Sequence, residues 1–193
     1  MTRVKKAART AHRADRKAAA KARQPQDTRA MRVARLVAEA GDQPPLIALS
    51  AATLAIGLVL RRSAVAEAGA RMLASHLLAT GIKTWVKRSI DRTRPHSVAK
   101  GHAYRLEPGE STSHHYSSFP SGHTAGAVAV ARAAARVWPG GTPVLAVAAT
   151  GIGALQLPIG KHYASDVAAG AVVGLVSEAL VDRAVRAIRT RRG

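Results

Sequence analysis

The longest uncharged run of this chain covers residues 137–160, which are 24 residues without a Lys, Arg, Asp or Glu. A run of this kind lies either in a membrane or at the centre of an alanine-rich soluble bundle. Because a transmembrane helix needs about 20 apolar residues, the stretch 142–160 is the best candidate for a membrane span. The missing charge favours the membrane interpretation.

Four further apolar segments surround this run, and all are long enough to be helices. They cover residues 46–60, 63–86, 125–138 and 167–181, and the second is interrupted by Glu67, Arg71, His76 and Lys83. This pattern predicts an all-α fold, a membrane-embedded bundle of about five apolar helices with a site at one face. Small residues let helices approach closely in lipid, and Gly170 and Gly174 form one such pair.

The charged residues are concentrated at the two ends of the chain. We expect a basic tail over 1–43, a helical membrane domain over 44–183 and a basic C-terminal tail over 184–193. Within the first tail, residues 28–41 place Met31, Val33, Leu36 and Val37 on one face. This is typical of a helix that lies in the membrane interface or on the domain surface. The long basic start is not that of a secretory signal peptide.

The formal net charge of +19 raises nucleic acid and anionic lipid headgroups as partners of the tails. Aromatic residues make up only 3% of the chain. Proteins that bind single-stranded nucleic acid stack its bases on aromatic side chains, so this composition does not favour nucleic acid as a partner. The sequence has no cysteine, so disulfides, thiolate metal sites and thiol nucleophiles are excluded. The pattern does not indicate an oligomeric state.

Three polar clusters stand at the ends of the apolar segments. They cover residues 87–95 (KRSIDRTRP), 119–124 (FPSGHT) and 160–166 (GKHYASD). Helices that alternate in direction can bring all three to one face. They would then combine Lys, Arg, Ser, two His and Asp, a set that suits phosphoryl transfer because that reaction depends on positioning and charge stabilisation. Taken singly, each cluster also fits a helix flank, a helix cap or a surface pair.

In these clusters the chain resembles the type 2 phosphatidic acid phosphatase superfamily over about residues 46–182. The family signature is Lys-x6-Arg-Pro, then Pro-Ser-Gly-His, then Ser-Arg-x5-His-x3-Asp. Residues 87–95 and 120–123 match the first two motifs in full, and His162 and Asp166 match the end of the third. The chain departs at the third motif, where Leu155 and Gln156 replace the family's Ser and Arg.

The resemblance implies a metal-independent phosphatase that cleaves a lipid phosphate or diphosphate, with no cofactor. His162 would be the nucleophile that forms a phosphohistidine, Asp166 would orient it, and His123 would be the general acid and then the general base. The phosphate would be held by Lys87, Arg94, Ser121, Gly122 and, in place of the family's arginine, Gln156. Lys161 is the local cation that could compensate for that arginine. We interpret His102, His114 and His115 as solvated loop residues.

Two alternatives stay open at this point. One is a vanadate-dependent haloperoxidase-like enzyme, because that group shares the anion site. The other is a catalytically weakened membrane protein whose basic tail binds anionic lipid or nucleic acid. Prenyl, phosphatidyl and sphingoid phosphates present the same headgroup, so the pattern does not choose among them. The side of the membrane that the site faces depends on whether residues 46–60 span the bilayer.

Overall fold

A computed structural model of the chain describes residues 28–191 together with Asp15 and Lys17. The rest of the basic tail before residue 28 lies outside the described residues. Within them the fold is predominantly helical, as the all-α prediction requires. Seven α-helices follow one another in this part of the chain: α1 Arg29–Glu39, α2 Gln43–Val59, α3 Ser63–Lys87, α4 Pro95–Ala99, α5 Gly122–Val137, α6 Thr142–Leu155 and α7 Ala164–Thr190.

The centre of the fold is the packing of α3, α5 and α7 against one another, with α2 against α3 and α6 against α5. Glycines allow these helices to approach closely. A β-carbon at Gly170 would lie 2.5 Å from the carbonyl oxygen of Ser121, and one at Gly174 would lie 2.6 Å from that of Ala125. The predicted packing role of this glycine pair is therefore confirmed, and it joins α7 to the first two turns of α5.

The segment 87–121, which joins α3 to α5, contains short regular elements. Strand β1 (Ile90–Arg92) pairs in antiparallel register with β2 (Leu106–Pro108), so that Asp91 faces Glu107. The short helix α4 lies between them, with Pro95 at its first position. Each strand has only three residues, so neither shows the alternation of apolar and polar residues by which strands are recognised.

The expectation that residues 142–160 form the best membrane span is wrong in length. Helix α6 has 14 residues and therefore measures only about 21 Å. The chain then turns, and Gly160 adopts a positive φ of 76°, a conformation that suits glycine. Instead, α7 is long and apolar enough to cross a membrane by length and composition, and α1 with α2 would pass the same test as one unit bent by 49°.

Helix α7 also extends beyond the predicted end at residue 181. Ion pairs stabilise the additional turns. Arg186 contacts Asp182 on the same helix, and the Nη2 atom of Arg189 lies 2.6 Å from Oε2 of Glu67 on α3. At the same end of the bundle, Nη1 of Arg71 lies 2.9 Å from Oδ1 of Asp182. These carboxylates and guanidinium groups satisfy one another at the end of the fold remote from the three polar clusters.

Helix α1 is amphipathic, as predicted, and its apolar face is left uncovered by the described residues. Leu36 is 73% exposed and Val33 is 54% exposed. Ala38 is the buried residue of this helix. The N-terminus of α1 is capped by the hydroxyl of Thr28, which accepts a hydrogen bond from the amide of Met31 at 3.1 Å.

Candidate active site

The three polar clusters meet at one end of the helix bundle, around a cavity of about 260 Å³. The last turn of α3, the start of α5 and the turn before α7 form its walls, as alternating helix directions predict. Five of the predicted site residues line this cavity: Lys87, Arg94, Gly122, His123 and His162. The other three, Ser121, Gln156 and Asp166, are fully buried and do not line it.

The turn before α7 fixes the imidazole of His162. The amides of Lys161 and His162 both donate to the carbonyl oxygen of Gln156, at 3.2 and 3.3 Å. Nδ1 of His162 lies 2.7 Å from the carbonyl oxygen of Ser118. A carbonyl can only accept, so Nδ1 carries the proton and Nε2 keeps its lone pair. Burial lowers the pKa of His162 to about 4, and the neighbouring Asp166 carboxylate only partly opposes this shift.

Asp166 supports this histidine from behind. Its Oδ2 atom lies 3.7 Å from Nδ1 of His162, which is longer than a hydrogen bond. The same oxygen accepts a hydrogen bond from the hydroxyl of Ser118 at 2.6 Å and another from the amide of Tyr163 at 2.8 Å. Asp166 thus holds both the residue whose carbonyl orients His162 and the residue that follows it in the chain.

Arg92 is a buried residue of this site that sequence reasoning missed. Its guanidinium group pairs with the Asp166 carboxylate and donates to the hydroxyl of Ser165 at 2.9 Å. On its other side, Nη2 lies 2.6 Å from Oδ2 of Asp15, which also accepts from the hydroxyl of Tyr104. Arg92 is only 3% exposed. Its position inside the first polar cluster was the sole signal, since the motif leaves this residue unspecified.

Lys87 and Arg94 of the first cluster line the cavity, and both donate hydrogen bonds to the segment 114–117. Nζ of Lys87 donates to the carbonyl oxygen of Ser117. Nε of Arg94 donates to the carbonyl oxygen of His114 at 3.0 Å, and its Nη2 to the hydroxyl of Ser117 at 3.2 Å. Burial lowers the pKa of Arg94 to about 10, so the side chain is still a cation at neutral pH. Arg94 therefore places a fixed positive charge at the cavity. Burial and the nearby Arg94 lower the pKa of Lys87 to about 7, so an anion bound in the cavity would favour the charged form of Lys87.

His123 lies in the first turn of α5, across the cavity from His162. The two ring centroids are 6.5 Å apart. Nε2 of His123 has no hydrogen-bond partner among the described residues and lies 4.0 Å from Oδ1 of Asp42. Ser121 caps the same helix, because its hydroxyl accepts from the hydroxyl of Thr124 at 3.0 Å and from the Thr124 amide at 3.4 Å. This capping role is the simpler of the two that the sequence allows for Ser121.

The amide of Gln156 is turned toward its own helix. Nε2 donates to the carbonyl oxygen of Ile152 at 3.2 Å, and Oε1 has no partner among the described residues. Lys161 lines the cavity, but its Nζ lies 3.3 Å from Oε1 of Glu39. Side chains that the sequence did not assign to the site also line it. They are Asp42, Gln43, His76, Thr80, Lys83 and His114.

The loop histidines divide into two groups. His114 is exposed, as expected of a solvated loop residue, and it also lines the cavity. His102 and His115 stack on each other away from it, with ring centroids 4.4 Å apart. No group of three His, Asp or Glu side chains in the described part of the chain is arranged to hold a metal ion.

The PAP2 superfamily model matches residues 68–189, which include all three polar clusters. The chain belongs to the PAP2 superfamily. This confirms the family resemblance and accounts for the joint occurrence of the motifs. No curated protein matches the chain at a significant level.

A solved structure has the same fold: the crystal structure of the first transmembrane PAP2-type phosphatidylglycerolphosphate phosphatase from Bacillus subtilis. Its TM-score with this PAP2 protein is 0.63, the sequences are 20% identical, and the match covers 93% of this chain and 88% of that one. At this identity the likeness concerns the fold. It extends beyond the three motifs to nearly the whole chain, although the family's third-motif arginine is Gln156 here.

Proposed function

We propose that this protein is a membrane phosphatase that hydrolyses a lipid phosphate or diphosphate through a phosphohistidine, without a metal ion. The observation that carries the proposal is the arrangement around His162. A hydrogen bond to the Ser118 carbonyl leaves Nε2 of that ring unprotonated, and the ring lines one cavity with Lys87, Arg94 and His123. A nucleophile, a second titratable group and two cations are the parts that a two-step phosphoryl transfer needs.

In the first step, the lone pair of Nε2 of His162 attacks phosphorus and forms the P–N bond. The bond between phosphorus and the lipid oxygen breaks, and that oxygen takes a proton from the His123 imidazolium. Burial lowers the pKa of His123 to about 4, and the negative charge of the substrate phosphate opposes this shift and favours the imidazolium. The leaving group is the lipid alcohol, or the lipid monophosphate when the substrate is a diphosphate, and the phosphoryl group stays on His162. The low pKa of His162 means that the nucleophile needs no activation by a base at neutral pH.

In the second step, His123 is neutral and accepts a proton from a water molecule. The water oxygen attacks phosphorus, the P–N bond breaks, and inorganic phosphate leaves with His162 neutral again. Asp166 acts indirectly in both steps. By binding the Ser118 hydroxyl and the Tyr163 amide, it keeps the Ser118 carbonyl against Nδ1 and so preserves the reactive tautomer.

Lys87 and Arg94 neutralise the oxygens of the transferred phosphoryl group. The start of α5 adds to this, because the amides of Gly122 and His123 are among the free N–H groups of a helix N-terminus. Ser121 would assist phosphate binding indirectly, because its side chain caps α5 and fixes the start of that helix. Gln156 would also act indirectly, because its backbone carbonyl accepts the hydrogen bonds that fix the turn carrying His162.

Exposed apolar helix faces support a multi-pass membrane location. Val144 and Val147 on α6 are each 73% exposed, and Val172 on α7 is 59% exposed. In lipid these faces carry no cost, whereas in water they would form large apolar patches. The exposed apolar face of α1 fits the interface beside a bilayer, and the basic tails fit anionic headgroups.

The proposal is tested on the full-length chain in detergent, with phosphate release measured from phosphatidic, prenyl and sphingoid phosphates. His162→Ala should abolish release, while the exposed His102→Ala should not. His123→Ala should be nearly inactive on these lipids but less impaired on an activated aryl phosphate, whose leaving group needs no proton. Activity in chelator, inhibition by vanadate and an acid-labile phosphate on His162 are also expected. Full activity of His162→Ala, or dependence on magnesium, would falsify the mechanism.

A further inference from the structure

Replacement of the family's arginine by Gln156 leaves the proposed phosphate site short of positive charge. A transferred phosphoryl group spreads negative charge over three oxygens, and positioned cations stabilise most of it. Lys87 and Arg94 supply two. The amide of Gln156 is neutral, fully buried and bonded to the carbonyl of Ile152. It therefore supplies neither charge nor a free donor to the cavity.

Lys83 lies where another cation is needed. It precedes Lys87 by one turn of α3, so both side chains leave the same face of that helix. Lys83 lines the same cavity as Lys87, Arg94 and His162. Its ammonium group lies against the first residue of α5, since a β-carbon built at Gly122 would be 3.1 Å from Nζ of Lys83. The lysine and the free amides of that helix start thus face the same space.

No carboxylate of the described residues lies within ion-pair distance of the Lys83 ammonium group, and Asp42, which lines the same cavity, acts on it only from further away. The one hydrogen bond of Lys83 in that part of the chain runs to the neutral Oε1 of Gln43, at 3.4 Å, the long limit for such a bond. A partly buried cation in this position gains from an entering anion, because the anion provides the missing partner.

Lys161, the compensating cation that the sequence suggests, differs in this respect. Its Nζ lies 3.3 Å from Glu39, and its side chain is 26% exposed. A phosphate at the cavity would have to compete with that carboxylate for Lys161. Among the described residues, no carboxylate is ion-paired with Lys83 in this way.

We propose that Lys83 is the third phosphate-binding cation of this protein and takes the part that the missing arginine plays in the family. The inference rests on the proposed function, because it assumes that the cavity binds a phosphoryl group. In it, Nζ of Lys83 binds a phosphoryl oxygen beside the amides of Gly122 and His123, in the cavity that Lys87 and Arg94 also line. The glycine at position 122 leaves the space through which the ammonium reaches that helix start.

The test compares Lys83→Met with Lys161→Met and with Lys100→Met, an exposed lysine outside the cavity. Turnover of one lipid phosphate and one aryl phosphate is measured for each, together with the vanadate inhibition constant. Loss of one phosphate donor typically lowers turnover by about 10²–10³. We expect that loss and at least about tenfold weaker vanadate inhibition for Lys83→Met only, on both substrates, with Lys83→Arg retaining most activity.

Binding is measured separately from turnover, so that a failure of the proposed function is distinguishable. Inorganic phosphate should raise the unfolding temperature of wild type, Lys100→Met and His162→Ala, but much less that of Lys83→Met. Equal shifts in Lys83→Met and Lys100→Met overturn the inference even if the wild type is an active phosphatase. If only Lys83→Met loses the shift in unfolding temperature, but phosphate release does not depend on His162, then Lys83 remains an anion ligand and the proposed phosphatase function is rejected. A large loss in Lys161→Met alone assigns the role to Lys161 instead.

Discussion

Substitution of Gly170 by alanine should damage catalysis from behind the site. The new β-carbon would lie 2.5 Å from the carbonyl oxygen of Ser121, where ordinary contact begins at 3.4 Å. The start of α5 must therefore move away from α7 by about 0.9 Å, the difference between these distances. Overpacking of this kind costs about 1–3 kcal/mol, and a misplacement of about 1 Å at a reacting group can cost 10²-fold in rate. His123 moves with this helix start, so we expect both losses in Gly170→Ala.

Two other glycines make this test specific. Gly174→Ala produces a similar clash, 2.6 Å from the Ala125 carbonyl, but one turn further from the site. It should cost comparable stability and less activity. Gly151→Ala on α6 meets no atom within 4 Å and should cost neither, because alanine is the better helix former. The assays are thermal unfolding and phosphate release in detergent, where about 1–3 kcal/mol corresponds to a shift of roughly 2–12 °C. If Gly170→Ala is as stable and as active as Gly151→Ala, the close packing of α5 on α7 does not position the site.

Three further predictions concern the buried polar groups. Arg92→Met leaves the Asp166 carboxylate buried without its guanidinium partner, which should cost about 3–5 kcal/mol in chemical or thermal unfolding, and adding Asp166→Asn should recover part of it; no recovery would mean that the two groups are not coupled. Because the pKa of His162 falls from 6.5 to about 4 on folding, the unfolded chain binds more protons in that interval, so stability should rise with pH from 4 to 6.5 by about 3 kcal/mol. A His162→Gln variant should lack this component, and equal slopes in both proteins would contradict the assigned pKa. Gln156→Arg should raise turnover less than about tenfold if Lys83 already supplies the charge, and a hundredfold gain in phosphate release would show that it does not.

The convergence of the three polar clusters could be predicted from the sequence, because it depends on helix order alone. Apolar segments show where α3, α5 and α7 lie in the chain, and consecutive long helices of a bundle alternate in direction. The packing role of Gly170 and Gly174 could also be predicted, because two small residues one turn apart leave a flat surface on a helix against which another helix can pack closely. The motifs, the apolar segments and the glycine pair are each recognised from residues that are close together in the sequence.

Contacts between distant segments could not be read in this way. The proton of Nδ1 of His162 goes to the backbone carbonyl of Ser118, and a backbone acceptor leaves no mark in the residue type. The guanidinium of Arg92 reaches Asp166 across 74 residues of chain. The end of α6 at Leu155 depends on a turn that ties the amides of Lys161 and His162 to the Gln156 carbonyl. Hydropathy alone continues the helix through this turn, which is why the predicted span was too long.

Lys83 and Arg71 show how the same sequence signal can have two meanings. Both interrupt the apolar pattern of α3, and cations within such a helix either pair with the protein's own carboxylates or serve a ligand. Arg71 is 6% exposed and is held by Glu67 at 2.7 Å and by Asp182 at 2.9 Å, so its charge is satisfied within the bundle. Among the described residues, Lys83 has a single weak hydrogen bond, to the neutral Gln43, and it opens onto the cavity. The difference lies in which residues the fold places opposite each charge. It follows that Arg71 stabilises the bundle, and that the charge of Lys83 is available for the phosphoryl group that we propose as its partner.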